Sequence, residues 1–233
     1  MASEEKNQNN IITTEPILEN IEYIFENKPI NRFKTKPKVE DASIKLNELK
    51  KEIENIENCE LKKNASKIVF SDGDYKSKIM IVGEGPGQKE DQEGKPFVGD
   101  AGILLNKMLK AINIERNQVY ITNVVNYRPP NNRKPEPPEV SRYSEFLRKH
   151  ISIIDPKILI LMGSTAMESL LGSKIKISKE RGNWKEIIIN QKTYLTMITF
   201  HPAYLLRQED QKKYSWADLK EIRKKIDKLD LKI

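Results

Sequence analysis

Apolar positions change their rhythm near residue 41. Before it they keep no steady period: residues 1–40 are rich in Asn, Glu and Lys and carry Pro16, Pro29 and Pro37. Such a stretch has too little apolar surface to order itself, so a flexible N-terminal extension is expected over 1–40, with Ile21, Tyr23, Ile24 and Phe25 able to dock as one short element. From Asp41 the period is helical. Leu46, Leu49, Ile53 and Ile56 recur three and four apart, which predicts a first helix over 41–58 with Asp41 as its N-cap.

The remainder of the domain expected over 41–233 alternates short apolar runs with amphipathic stretches. Ile79–Val82, ending at Gly83, predicts a buried strand, and Val119–Val125 and Ile158–Met162 predict two more. Ala101–Ile112, Glu139–Ile154, Ser164–Leu171 and Ser215 to about Leu229 predict helices, with Ser164 a candidate cap. Glu186–Ile189 and Tyr194–Phe200 flank a short polar turn, as in a hairpin or a continuation of the sheet, while Tyr127–Pro138 is a proline-rich loop. Strands separated by helices predict an α/β fold whose mainly parallel sheet is covered on both faces.

Composition narrows the class. The 233 residues are 37% hydrophobic and 32% charged, with mean hydropathy −0.65. No run approaches the ~20 apolar residues of a membrane span. The polar start, MASEEKNQNN, has no apolar h-region, so no membrane association and a cytoplasmic location are expected. A single cysteine, Cys59, excludes an intrachain disulfide and any all-cysteine metal or iron–sulfur site within one chain. The net charge of +7 is unevenly spread: residues 1–66 carry 11 basic and 13 acidic side chains, residues 67–233 carry 30 and 21. The excess permits an anionic partner without establishing one, since an AT-rich genome also enriches lysine, and 32 of the 41 basic residues are Lys.

Ligands of open α/β sheets bind beyond the carboxyl ends of strands, and unusual residues stand at several of these ends. Gly83-Glu84-Gly85-Pro86-Gly87 follows the first run. Three glycines in five residues allow a tight turn and a close approach to a ligand. The loop lacks the Gly-Lys-Ser/Thr of a P-loop and does not fit the dinucleotide fingerprint. Glu84 would repel a phosphate; its carboxylate suits polarising water or stabilising a developing cation. A mere turn is the plain alternative. Phe97, in a Pro/Gly-rich loop, is placed either to plug the core or to stack on a base. Asn123 either ties down a loop or reads a base edge, offering both donor and acceptor. Of the two histidines, His150 lies near the end of a Lys/Arg-bearing helix and reads as a surface residue. His201, after a strand and before a proline, is the functional candidate.

Taken together, these segments resemble a known family. Gly83-Glu84-Gly85-Pro86-Gly87, then Glu90-Asp91, Gly94-Lys95-Pro96-Phe97-Val98-Gly99 and Ala101-Gly102, is similar to the first motif of family 4 uracil-DNA glycosylases. Ile121-Thr122-Asn123-Val124-Val125, Arg128-Pro129-Pro130 and Asn132-Arg133 resemble its middle motif, and His201-Pro202-Ala203-Tyr204-Leu205-Leu206-Arg207 its final one. The likeness runs in order from about residue 59 to 225. It implies a three-layer α/β/α sandwich around a mainly parallel four-stranded sheet and a monofunctional glycosylase acting on uracil-containing DNA, expected as a monomer. It also implies roles: Glu84 positions or activates water; Gly85, Pro86 and Gly87 contact the base through backbone; Phe97 stacks on uracil; Asn123 bonds its Watson–Crick edge. His201 would bond a uracil carbonyl and stabilise the leaving anion, and Leu205, Leu206 and Arg207 would enter the DNA where the base has left.

The chain departs from that family at one place. Members typically hold a [4Fe–4S] cluster through four cysteines, whose positions align with Ile56, Cys59, Tyr127 and Tyr143. One thiolate cannot hold such a cluster, so a cofactor-free variant is expected, with Ile56, Tyr127 and Tyr143 packed in its space. The lost cysteines also motivate a second reading, a uracil-DNA-binding relative with little or no turnover. A relative that crosslinks to uracil-DNA carries a basic insertion after the first motif, which Gly99-Asp100-Ala101-Gly102 lacks. A nucleotide-binding regulator is disfavoured by the absent Lys-Ser/Thr, and a bifunctional lyase by the lack of a lysine placed as nucleophile.

Overall fold

In the computed structural model, which describes residues 41–172 and 175–232, the apolar runs become strands and the periodic stretches become helices. In chain order the elements are α1 (Ala42–Glu54), α2 (Glu60–Asn64), β1 (Asp72–Gly73), β2 (Ile79–Gly83), α3 (Gln88–Glu93), α4 (Asp100–Lys110), β3 (Tyr120–Asn123) and α5 (Pro137–Ile154). There follow β4 (Ile158–Met162), α6 (Ser164–Leu171), α7 (Ile177–Glu180), β5 (Trp184–Ile189), β6 (Lys192–Thr199), α8 (Pro202–Arg207) and α9 (Lys212–Lys228). Single 3₁₀ turns lie at Arg116–Gln118, Pro130–Asn132 and Glu209–Gln211.

The sheet order is β1-β3-β2-β4-β6-β5. The four central strands are mutually parallel, as expected, but the sheet has six strands, because an antiparallel strand is added at each edge. The two-residue β1 is too short to carry a period. β5 and β6 form a hairpin across Asn190 and Gln191, whose φ values of 47° and 64° are those of the primed turns that match strand twist.

Successive side chains of a strand point to opposite faces, and the core divides accordingly. Met80, Val82, Leu159, Leu161 and Ile198 face a cluster completed by α1, α5 and α6; Ile79, Ile81, Ile160, Met162 and Met197 face one completed by α4, α8 and α9. The result is the three-layer sandwich. All five residues of β2 and of β4 are buried, as a parallel sheet covered on both faces requires.

Three further expectations change. The first helix starts as read, with the Asp41 carboxylate accepting from the Ser43 N–H at 3.1 Å, but it ends at Glu54 rather than 58. Asn55 closes it and Asn58 turns left-handed (φ 50°), after which the chain restarts as α2. Ser164 does not cap α6: Gly163 is the N-cap and Ser164 the first helical residue. His150 is not on the surface. It is 2% exposed, shares a 2.7 Å hydrogen bond with the Tyr120 hydroxyl and stacks on Phe70. The reason is that His150 continues the stripe Tyr143, Leu147, Ile151, Ile154 by which α5 faces the sheet. The extension expected over 1–40 lies outside the described residues.

Candidate active site

The carboxyl ends of β2, β3, β4 and β6 open into one cleft of about 820 Å³. It sits where the topology reverses, with β3 on one side of β2 and β4 on the other, the place where doubly wound sheets bind ligands. Glu84, Gly85, Pro86, Gly87, Phe97, Asn123 and His201 all line it.

Glu84 follows β2 directly. Its half-buried carboxylate accepts a hydrogen bond from the Thr165 hydroxyl at 2.5 Å. The neighbouring glycines are needed for room, not for left-handed backbone, since none of the three has a positive φ. A Cβ on Gly83 would lie 2.5 Å from both the Phe97 ring and Asn123 Oδ1. The loop is held by Glu90, 8% exposed: Oε1 accepts from the Val98 and Gly99 N–H groups at 2.9 and 2.8 Å, and Oε2 from the Gly87 N–H at 3.1 Å. Glu90 and Thr165 carried no role in the sequence reading. For Glu90 a signal existed: it stands three residues after Gly87, the N-cap of α3, in the spacing of a capping box.

Phe97 both plugs the core and faces the cleft. It is 5% exposed, and its ring stacks on His201 at 5.3 Å and 27°. Its backbone is left-handed (φ 53°), a conformation costing roughly 1–3 kcal/mol that persists only where the surroundings impose it. Arg116 imposes it. The guanidinium donates to the Pro96 and Phe97 carbonyls at 2.7 and 3.0 Å and is itself held by Asp72 at 2.8 Å and Asn106 at 3.1 Å.

Asn123 ends β3 at 3% exposure, and its Oδ1 is buried with no partner among the described residues. Leaving a buried acceptor unpaired costs about 1–3 kcal/mol, so the oxygen is open to a donor from the cleft. His201 is the N-cap of α8, and its Nδ1 accepts from the Ala203 N–H at 3.2 Å. The remaining ring proton therefore sits on Nε2. Burial pushes its pKa down to about 4, with the Arg207 charge adding to the shift. At neutral pH His201 is an uncharged imidazole with its proton on Nε2.

Of the three residues expected to enter DNA, Leu205 is 1% exposed and packs in the core beneath α8. Leu206 (43%) and Arg207 are exposed. The opposite rim carries Arg133, bonded to both oxygens of Glu139 at 2.8 and 2.7 Å, and Lys134, 3.0 Å from Glu168.

Ile56, Cys59, Tyr127 and Tyr143 meet in one apolar cluster, each at most 8% exposed, and Cys59 Sγ lies 3.4 Å from the Tyr143 hydroxyl. This donor set does not fit a cubane cluster, which needs four thiolates where the chain offers one. Among the described residues no group of three or more His, Cys, Asp or Glu is placed to hold a metal ion, and no helix is long and apolar enough to cross a membrane.

Residues 70–221 match the family model of the uracil DNA glycosylase superfamily. The chain is 44% identical over 150 residues to a type-4 uracil-DNA glycosylase of Thermotoga maritima, spanning 64% of this chain and 77% of that protein. It is 41% identical over 186 residues to one of Sulfurisphaera tokodaii (76% and 83%) and 35% identical over 181 residues to one of Archaeoglobus fulgidus (76% and 91%). The chain belongs to the uracil DNA glycosylase superfamily. Within it, these three relatives all belong to the type-4 branch.

Proposed function

We propose that the cleft takes a uracil flipped out of DNA and hydrolyses its N-glycosidic bond, with Glu84, Phe97, Asn123 and His201 sharing the work. The enzyme is a uracil-DNA glycosylase, a hydrolase that opens base excision repair. Flipping costs a few kcal/mol and is cheapest for a mispaired base. Phe97 stacks on the extruded ring, the backbone of Gly85, Pro86 and Gly87 lies along its edge, and the Asn123 amide takes the Watson–Crick edge. As the bond between C1′ and N1 breaks, its electron pair leaves on uracil and positive charge grows on the sugar. His201 donates from Nε2 to a uracil oxygen, and Glu84 faces the sugar and holds the water. The water oxygen bonds to C1′, and its proton ends on the released base. Both groups act on charge that develops only in the transition state.

Leu206 fills the gap left in the stack, Arg207 lies along it, and the basic excess neutralises phosphates. No lysine nucleophile is invoked: Lys134, at the rim, is paired with Glu168. The enzyme works as a cytoplasmic monomer without an iron–sulfur cluster, and stoichiometric iron and sulfide in the pure protein would overturn the last point.

The observation that carries the reading is the convergence of a carboxylate, a buried amide whose oxygen has no partner among the described residues, and a neutral imidazole at the ends of three parallel strands. The test is a single-uracil oligonucleotide incubated with the protein and then alkali. Strand breaks at the uracil are expected; their absence on U·G, U·A and single-stranded substrates alike rejects it. Glu84→Ala and His201→Asn are each expected to lower kcat by about 10²–10⁴ with folding intact.

A further inference from the structure

We infer that Thr165 is a positioning residue for the reaction: its hydroxyl fixes the Glu84 carboxylate in the orientation from which it addresses the sugar. The inference rests on the reading of Glu84 as the carboxylate at the scissile bond.

Glu84 stands between Gly83 and Gly85, so its neighbours supply no side-chain wall to restrain it. Among the described residues the one hydrogen bond to its side chain comes from Thr165 Oγ1 to Oε2. Thr165 is fully buried. It stands in the first turn of α6, where no helical carbonyl lies one turn back, and its hydroxyl reaches a carboxylate 81 residues earlier in the chain. Oε2 is thereby engaged and Oε1 is left for the ligand. Ser164 and Ser178 also line the cleft, yet neither bonds Glu84.

The placement of Thr165 follows from the sheet. β4 lies between β2 and β6, so the turn that leaves it passes between the two catalytic residues. Gly163 is left-handed (φ +95°), and a Cβ there would sit 3.0 Å from the His201 Cβ; its N–H donates to the Thr199 carbonyl at 2.9 Å. Two residues later the same turn presents Thr165 to Glu84. The segment 163–165 therefore abuts the imidazole on one side and holds the carboxylate on the other.

The experiment is steady-state kinetics on a single-uracil duplex with Thr165→Val, which keeps the shape and removes the hydroxyl, and Thr165→Ser, which restores it. Thr165→Val is expected to lower kcat about 10- to 100-fold, the worth of a hydrogen bond to a charged group, with KM changed by less than about twofold. Thr165→Ser is expected to keep kcat within about threefold of the parent, because the hydroxyl is retained. In a Glu84→Ala background, Thr165→Val is expected to have no further effect, since its partner is already gone. Thermal unfolding of each variant reports any general loss of packing. An unchanged kcat for Thr165→Val, or an equal fall in the Glu84→Ala background, overturns the inference while leaving Glu84 in place. A Glu84→Ala enzyme that turns over at the parent rate overturns the assignment of Glu84 beneath it.

Discussion

At the scale of single residues, the proposed chemistry turns on an uncharged histidine. With its pKa near 4, His201 keeps one protonation state from pH 8 to below pH 6, so kcat is expected to show no inflection near pH 6.5 from this group. Stability should respond to the same burial. Both histidines are neutral when folded, His201 with a pKa near 4 and His150 near 3, against about 6.5 in the unfolded chain. Between these values the unfolded state binds more protons, so stability is full above pH 6.5 and falls as pH drops below it. Urea midpoints at constant ionic strength are expected to fall between pH 6.5 and 5, and His150→Gln should remove one of the two protons from that slope. Arg116 offers a second residue-scale expectation. Arg116→Leu releases the carbonyls that hold Phe97 left-handed, so KM for uracil-DNA should rise severalfold while kcat changes less. Glu84, Asn123 and His201 were legible from the sequence because each is a polar residue at or just beyond the end of an apolar run. Arg116, Thr165 and the burial of Leu205 were not, because each depends on where a side chain from another element arrives.

At the scale of elements, β4 is the axis of the site: its flanking strands carry the imidazole and the carboxylate, and its turn separates them. Long elements such as β4, read at Ile158–Met162 and found there, were legible because five consecutive buried residues in a parallel sheet leave an unbroken apolar run. The short β1 and α7 were not, since two- and four-residue elements are set by their tertiary partners rather than by a period. Packing between α5 and the segment after α1 provides the test at this scale. Cys59→Ala leaves the buried Tyr143 hydroxyl without its sulfur partner, an expected loss of about 1–3 kcal/mol. The thermal midpoint should fall by roughly 2–4 °C for each kcal/mol lost, with uracil release unchanged.

At the scale of the molecule, charge is arranged so that some cations are already committed. Arg133 and Lys134 meet the cleft paired to Glu139 and Glu168, whereas Arg207 is exposed at the opposite rim. Binding of uracil-DNA should weaken steeply with salt, and Arg207→Ala is expected to reduce the slope of log K against log salt by about 1. Lys134→Ala should reduce it less, because the lysine exchanges one anion for another. The phenol–thiol contact between Tyr143 and Cys59 has a consequence for the cell as well. On the proposed cluster-free reading, a repair enzyme closed by its own side chains would need no maturation machinery and would compete for no scarce nutrient. Protein made in iron-starved medium is expected to match the specific activity of protein made in rich medium, so genome maintenance by this chain would continue through metal limitation.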